Sequence, residues 1–310
     1  MSTPADFLPE GVKTRARSVF RTLPSSLQGQ ILQRLDRHPP WENGRPPVAP
    51  PVPAGQTTGP PDFVGIGVPK CGTTWWFSLI MAHPDVHVEH LKELLYFNRW
   101  FIRHLNAEGC TQEELDSYHD WFPRPTGKLT GEWSPNYVFQ YQLAPLMKRT
   151  APQAKMIVML RDPVERFQSD ISRHMNRQRQ RMTQYRSVGN GFYASILEPW
   201  EDLYDSSELL VLQFEACLLQ PEQMLTRTFE FLGLDSGFRP DALRSPVNKT
   251  AAKVDIEPGM RRLLVQMYER EVAALVARHP DIDLRLWPNF TGMLSRPASA
   301  SGGLRSSPDT

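Results

Sequence analysis

The run Phe63-Val64-Gly65-Ile66-Gly67-Val68-Pro69-Lys70-Cys71-Gly72-Thr73-Thr74-Trp75 constrains this chain more than any other segment. It reads as a short apolar strand, a tight loop and a helix carrying Trp75, Phe77, Leu79, Ile80 and Met81. A loop that opens a helix after a strand is a ready anion site, because the first N–H groups of the helix lack partners and its dipole favours negative charge. Gly67 and Gly72 have the separation of the nucleotide-binding pattern G-x-x-x-x-G-K-[ST], and Thr74 fits its last place. Thr73, however, stands where that pattern has lysine, and the lysine comes earlier, at Lys70. A lysine displaced to the strand side meets a different phosphate oxygen. This points away from ordinary ATP chemistry and towards another phosphate-bearing donor.

The rest of the chain supplies the frame for such a loop. At 310 residues and 40% hydrophobic content, it can bury one large α/β core or two small ones. Apolar strands are expected at Phe63–Val68, Lys128–Trp133, Lys155–Leu160 and Leu209–Phe214. Helices are expected at Gly72–Ala82, from Asp162-Pro163 through Phe167 and Ile171, at Pro221–Leu232 and at Pro258–Arg278. Asp162 is a natural N-cap, with proline at the first helical position. The alternation predicts an α/β fold: a single P-loop-like domain with a central, mostly parallel sheet flanked by helices. Ligands in such sheets sit at the carboxyl ends of the strands, where Lys70 and Arg161 both fall.

Four regions follow. Residues 1–38 form an N-terminal helical arm (Val19, Leu23, Leu27, Ile31, Leu35, ringed by arginines), read as packing on the main domain in preference to docking a partner. Residues 39–61 form a proline-rich linker, 62–294 the folded domain and 295–310 a disordered tail rich in Ser, Pro, Gly and Ala. The formal net charge of +1 gives no global attraction to nucleic acid or membrane. Cys71, Cys110 and Cys217 have neither disulfide-framework nor zinc spacing, and no metal is expected. Without a transmembrane segment or signal sequence, the expected location is cytoplasmic.

A second anion site is written into Leu160-Arg161-Asp162-Pro163-Val164-Glu165-Arg166-Phe167-Gln168-Ser169. Arg161 ends a strand and Ser169 lies two turns into the following helix. A guanidinium grips a phosphate with two parallel N–H bonds, and a serine hydroxyl adds a third. Taken singly, Arg161 reads as an ion-pair residue for Asp162 or Glu165, and Ser169 as an ordinary helical serine. Together, and after a loop of the first kind, they point to a donor with two separated phosphate groups.

Four segments in order now carry a family resemblance: Pro69–Trp76 with His83–Val86; Lys92-Glu93-Leu94-Leu95-Tyr96-Phe97; Arg161–Asp170; and Phe214-Glu215 through Pro221 to Phe231-Leu232-Gly233-Leu234. The chain resembles the sulfotransferases that use 3′-phosphoadenosine 5′-phosphosulfate (PAPS). It is most similar to bacterial relatives of the heparan sulfate glucosaminyl 3-O- and N-sulfotransferases, through His83–Val86 and Glu132-Trp133-Ser134-Pro135-Asn136-Tyr137. Trp133 stands where many of those proteins have lysine. The resemblance implies PAPS as co-substrate. Lys70, Cys71, Gly72, Thr73, Thr74 and Trp75 would hold the 5′-phosphosulfate, and Arg161 and Ser169 the 3′-phosphate. Lys249 and Thr250 would lie in a loop that closes over the nucleotide.

Lys70 would stabilise the leaving phosphate, and Glu93 would take the proton of the acceptor hydroxyl. Two rivals for the base stay open. Glu132, at a strand end, is equally a structural carboxylate or one lining the acceptor site. His87, His90 and His174 are each, taken alone, better read as surface or packing residues. The acceptor is expected to be a glycan, a glycolipid or another small metabolite, with no nucleic-acid partner. Arg173, His174, Arg177, Arg179, Arg181 and Arg186 could border its cleft. Trp75, Trp76, Trp100, Trp121 and Trp133 could stack on a sugar or lipid face, although large aromatics more often belong to a core. The alternatives are a P-loop kinase-like phosphotransferase, which requires lysine at position 73 and an acidic magnesium ligand, and a non-catalytic nucleotide-binding adaptor docking partners through residues 1–61.

Overall fold

Four parallel strands in the order β2-β1-β3-β4 organise the molecule. They are β1 (Phe63–Gly67), β2 (Gly131–Trp133), β3 (Lys155–Leu160) and β4 (Leu209–Gln213). The computed structural model describes residues 49–90, 92–99, 111–174, 186–244 and 253–295. Every residue of β1, β2 and β4 is buried, as is all of β3 after Lys155. Unbroken apolar runs of this kind suit a parallel sheet covered on both faces.

The covering helices are α1 (Thr73–Met81), α2 (Gln112–His119), α3 (Leu143–Thr150), α4 (Pro163–His174), α5 (Tyr193–Glu201), α6 (Phe214–Leu219), α7 (Pro221–Leu232) and α8 (Pro258–Arg278). From β1 the chain moves outward to β2, then returns across β1 to β3 and β4. The order therefore reverses between β1 and β3, and the crevice at their carboxyl ends is where such sheets bind ligands. β1 leads there into the loop before α1, and β3 leads into Arg161 and α4.

Close packing fixes that crevice from below. A side-chain carbon on Gly65 would stand 2.1 Å from the Trp133 ring, so only glycine lets β2's tryptophan lie flat across β1. Trp133 also donates from Nε1 to the Gly67 carbonyl (3.3 Å) and meets Phe77 of α1 edge-on. α1 buries Trp75, Trp76, Phe77, Leu79 and Ile80, each contributing roughly 1.5–3 kcal/mol by leaving water. Trp76 Nε1 satisfies itself on Thr228 Oγ1 of α7 (3.0 Å).

The expected α/β architecture is the observed one, with local corrections. β2 begins at Gly131, because Leu129 instead bridges Val86 and Thr130 bonds to Asp62. Phe214 opens α6 and is not the end of β4. Helices α2, α3, α5 and α6 were not expected, although Thr111 and Glu114 form a capping box at the start of α2. Residues 1–38, the linker up to 48, and 296–310 lie outside the described residues; the rest of the linker turns at Ala54-Gly55 and is bridged at Thr57 to Arg124. No helix among the described residues is long and apolar enough to cross a membrane.

Candidate active site

The anion loop is built from the strand end forward. Val68 N–H donates to the Met159 carbonyl (3.0 Å), tying the loop to β3, and Cys71 N–H donates to the Val68 carbonyl (3.3 Å). Lys70 (φ 74°) and Gly72 (φ 85°) both take left-handed backbone. This is free for glycine but costs lysine about 1–2 kcal/mol. Gly72 caps α1 without any side-chain bond, leaving the first N–H groups of the helix directed out of its N-terminus. Thr73 is buried and Thr74 half-buried. Cys71 is fully buried, and its thiol is pushed up to about 12 by that burial, so it remains neutral.

Arg161 reaches this loop. Its Nη1 donates to the Lys70 carbonyl (3.4 Å), and its guanidinium lies over the Phe214 ring, 5.1 Å from the centroid. The same ring fills the space a side chain at Gly72 would need, 2.4 Å from the ideal Cβ position. One phenylalanine thus lies against both Arg161 and Gly72. Arg161 Nε is buried with no hydrogen-bond partner among the described residues.

The acidic neighbours have other duties. Asp162 caps α4, its Oδ1 accepting from Val164 N–H (2.9 Å) and Glu165 N–H (3.2 Å), while its Oδ2 accepts from Asn289. Burial raises its carboxyl above the usual range. Glu165 pairs with Arg261 (3.0 Å) and Lys253 (3.3 Å). Glu215 accepts from Asp162 N–H and Trp287 Nε1, and burial lifts it to about 7. The expected partnership of Arg161 with Asp162 or Glu165 is therefore not among the described ion pairs. Ser169 is buried on α4, two turns after Arg161.

Glu93 and Glu132 occupy opposite environments. Glu93 is exposed, its Oε1 3.0 Å from Lys92 Nζ, and its backbone is left-handed at φ 68°. Glu132 has no exposed surface. Its Oε1 accepts from Tyr118 (2.7 Å) and Tyr137 (3.1 Å), and its Oε2 from Ser134 (2.5 Å). Burial raises Glu132 to about 7, and the three hydroxyl bonds hold it back from rising further. Glu132 is thus enclosed by three hydroxyls, whereas Glu93 meets solvent.

His87 bonds to Glu89 (3.1 Å), which Gln56 of the linker also reaches, and His90 packs edge-on against Phe122. His174's side chain, Lys249, Thr250, Trp100 and most of the arginine run lie outside the described residues; Arg186 is exposed. Trp75, Trp76 and Trp133 are buried core, not a stacking platform. His83 of the His83–Val86 segment is also structural: its Nε2 donates to the Asp235 carbonyl, its Nδ1 accepts from Asp85 N–H, and its ring sits between Phe229 and Phe238. The contacts of Phe214 with Arg161 and Gly72, of Tyr118 with Glu132 and of Ser134 with Leu95 were not read from the sequence, since each joins separate segments. Among the described residues, no His, Cys, Asp and Glu group could hold a metal ion.

Comparison with known proteins agrees with this geometry. A profile of the sulfotransferase domain family matches residues 60–255. The chain is 34% identical over 106 residues to the membrane-associated sulfotransferase kil1 of Dictyostelium discoideum, covering 34% of this chain and 21% of that protein. It is 28% identical over 191 residues to mouse heparan sulfate glucosamine 3-O-sulfotransferase 3B1, covering 56% and 46% respectively. The chain therefore spans about half or less of the length of these relatives. Among solved structures, a sulfotransferase from Alicyclobacillus acidocaldarius superposes with a TM-score of 0.56 at 26% identity, covering 73% of this chain and 98% of that one.

Proposed function

The chain belongs to the sulfotransferase domain family, and on that premise we propose that it moves a sulfuryl group from PAPS to an acceptor hydroxyl. The observation that carries this reading is the meeting of two anion sites at adjacent strand ends: Arg161 reaches the Lys70 carbonyl, with Phe214 set against both Arg161 and Gly72. A donor with a 5′-phosphosulfate and a 3′-phosphate needs two such sites. The left-handed Gly72, the α1 N-terminus without a side-chain cap and the orphaned Arg161 Nε all suit an anionic ligand.

In this mechanism the N–H groups at the start of α1, with the Thr73 and Thr74 hydroxyls, hold the 5′-phosphosulfate beside Trp75. Arg161 and Ser169 hold the 3′-phosphate, and Lys249 and Thr250 cover the nucleotide. Glu93 takes the proton from the acceptor hydroxyl as its oxygen bonds to sulfur. The bond from sulfur to the bridging 5′-phosphate oxygen breaks in line, and Lys70 stabilises the negative charge left there. 3′-Phosphoadenosine 5′-phosphate (PAP) and the sulfated acceptor then leave. Such transfer depends on positioning and charge stabilisation rather than on covalent intermediates.

The relatives support a choice of acceptor class. Several are heparan sulfate glucosamine 3-O-sulfotransferases by name, and a glycan hydroxyl is the acceptor we favour, ahead of a glycolipid or small metabolite. The kinase-like alternative loses support. Thr73 stands where that chemistry needs lysine. Glu215, the acidic residue after β4, is committed to Asp162 and Trp287.

The test is transfer from PAPS carrying a radiolabelled sulfuryl group, without added magnesium, to a panel of heparan-type oligosaccharides, glycolipids and phenols. Labelled product on a hydroxyl acceptor, reduced at least about 100-fold by Lys70→Ala, supports the reading. PAPS binding with no product from any acceptor favours the adaptor alternative.

A further inference from the structure

Glu132 is a fully buried carboxylate that the mechanism above does not use. Its surroundings connect it to the segment that carries the proposed base. Ser134 donates its hydroxyl hydrogen to Glu132 Oε2 (2.5 Å). The same Ser134 oxygen accepts the N–H of Leu95 (3.0 Å). One residue back along β2, the Trp133 carbonyl accepts the N–H of Glu93 (3.1 Å). Two consecutive residues after Glu132 therefore hold two alternate residues of the 93–95 segment.

That segment has reason to need holding. Glu93 and Leu95 both stand in left-handed backbone, at φ 68° and 52°, a conformation that ordinary residues leave unless surrounding contacts impose it. The serine hydroxyl has one hydrogen, and while Glu132 takes it, the Ser134 lone pairs remain available to Leu95. Tyr118 of α2 and Tyr137 fix the carboxylate from its other side through Oε1. The chain of contacts runs from α2 through Glu132 and Ser134 to the backbone that aims Glu93.

We infer that Glu132 is a positioning residue for sulfuryl transfer: through Ser134 it locks the strained Glu93–Leu95 backbone, so that the Glu93 carboxylate is presented to the acceptor hydroxyl in one orientation. The inference rests on the reading of Glu93 as the base. It assigns Glu132 no contact with donor or acceptor.

Two variants test it, Glu132→Gln and Ser134→Ala, the latter leaving the carboxylate on its two tyrosines. The first readout needs no acceptor: amide hydrogen exchange followed residue by residue. The expected result is exchange at Leu95 and Glu93 at least about 10-fold faster in both variants, with the amides of β1 and β3 unchanged. Unchanged exchange at Leu95 in Ser134→Ala overturns the anchoring.

The second readout is turnover of PAPS with a heparan-type oligosaccharide. In both variants kcat is expected to fall about 10-fold while KM for PAPS stays within about 2-fold. In a Glu93→Gln background, Ser134→Ala should cause no further loss. Equal losses in both backgrounds, or a raised KM for PAPS with kcat intact, overturn the positioning role. If Glu93→Gln itself leaves turnover unchanged, the base reading falls and the catalytic half of this inference falls with it; the exchange result then decides the anchoring alone.

Discussion

Gly72→Ala is the change the anion loop is least able to absorb. The backbone there is left-handed at φ 85°, which costs alanine about 1–2 kcal/mol relative to glycine. The new methyl would stand 2.4 and 2.5 Å from two carbons of the Phe214 ring, while its next neighbour, Met159 Sδ, lies at an ordinary 3.5 Å. The ring must yield by about 1 Å, and such overpacking typically costs 1–3 kcal/mol. The two contributions total about 2–5 kcal/mol. Phe214 cannot shift without disturbing the Arg161 guanidinium stacked on it, so PAP affinity should fall about 10–100-fold as well.

Urea unfolding measures the first effect and calorimetric titration with PAP the second. Phe214→Leu supplies the internal control: combined with Gly72→Ala it should recover the steric part, about 1–3 kcal/mol, and leave the backbone part. A Gly72→Ala protein within about 0.5 kcal/mol of wild type, or strictly additive losses in the double variant, would refute the reasoning.

Three further outcomes are expected. Glu132 and Glu215 have carboxyls raised from 4.5 to about 7 by burial, so the folded state holds more protons than the unfolded one across that window. Stability should be greatest near pH 4.5–5 and fall as pH rises through about 7, by up to about 3 kcal/mol for each group; Asp162, also raised, adds the same sign. Urea midpoints that climb with pH over this range would contradict it. His83→Ala should cost about 2–4 kcal/mol in chemical unfolding, through lost packing and two lost hydrogen bonds, while PAP affinity stays unchanged. Asp162→Ala should cost about 2–4 kcal/mol by removing the α4 cap and the Asn289 bonds; because it adjoins Arg161, PAP affinity should drop in the same protein.

The fold was legible where one segment carries its own signal. The apolar runs at β1, β3 and β4, the Asp162-Pro163 start of α4 and the full spans of α7 and α8 could be read locally, because burial on both faces and helix capping are local demands. Boundaries failed where a neighbour decides them: Phe214 continues an apolar run in sequence, yet the chain turns there to set its ring between Gly72 and Arg161. The loop before α1 was legible because glycine spacing and a helix start suffice. The fate of Glu132 was not, because Tyr118 reaches its carboxylate, and Leu95 reaches Ser134, only in the folded protein. The tryptophans were ambiguous for the same reason: the packing of Trp133 on Gly65 and Phe77 appears only in the folded protein.

Calorimetric titration of PAP, without magnesium, into wild type and Arg161→Ala is the most direct test of the central claim. Two anion sites joined through Arg161 and the Lys70 carbonyl predict saturable 1:1 binding to wild type. They predict a loss of about 1.5–3 kcal/mol, roughly 10–100-fold in Kd, when the charge-assisted bonds of Arg161 are removed. Binding that is indifferent to Arg161, or absent while ATP with magnesium binds, would contradict the assignment of these loops to a 3′,5′-bisphosphate donor.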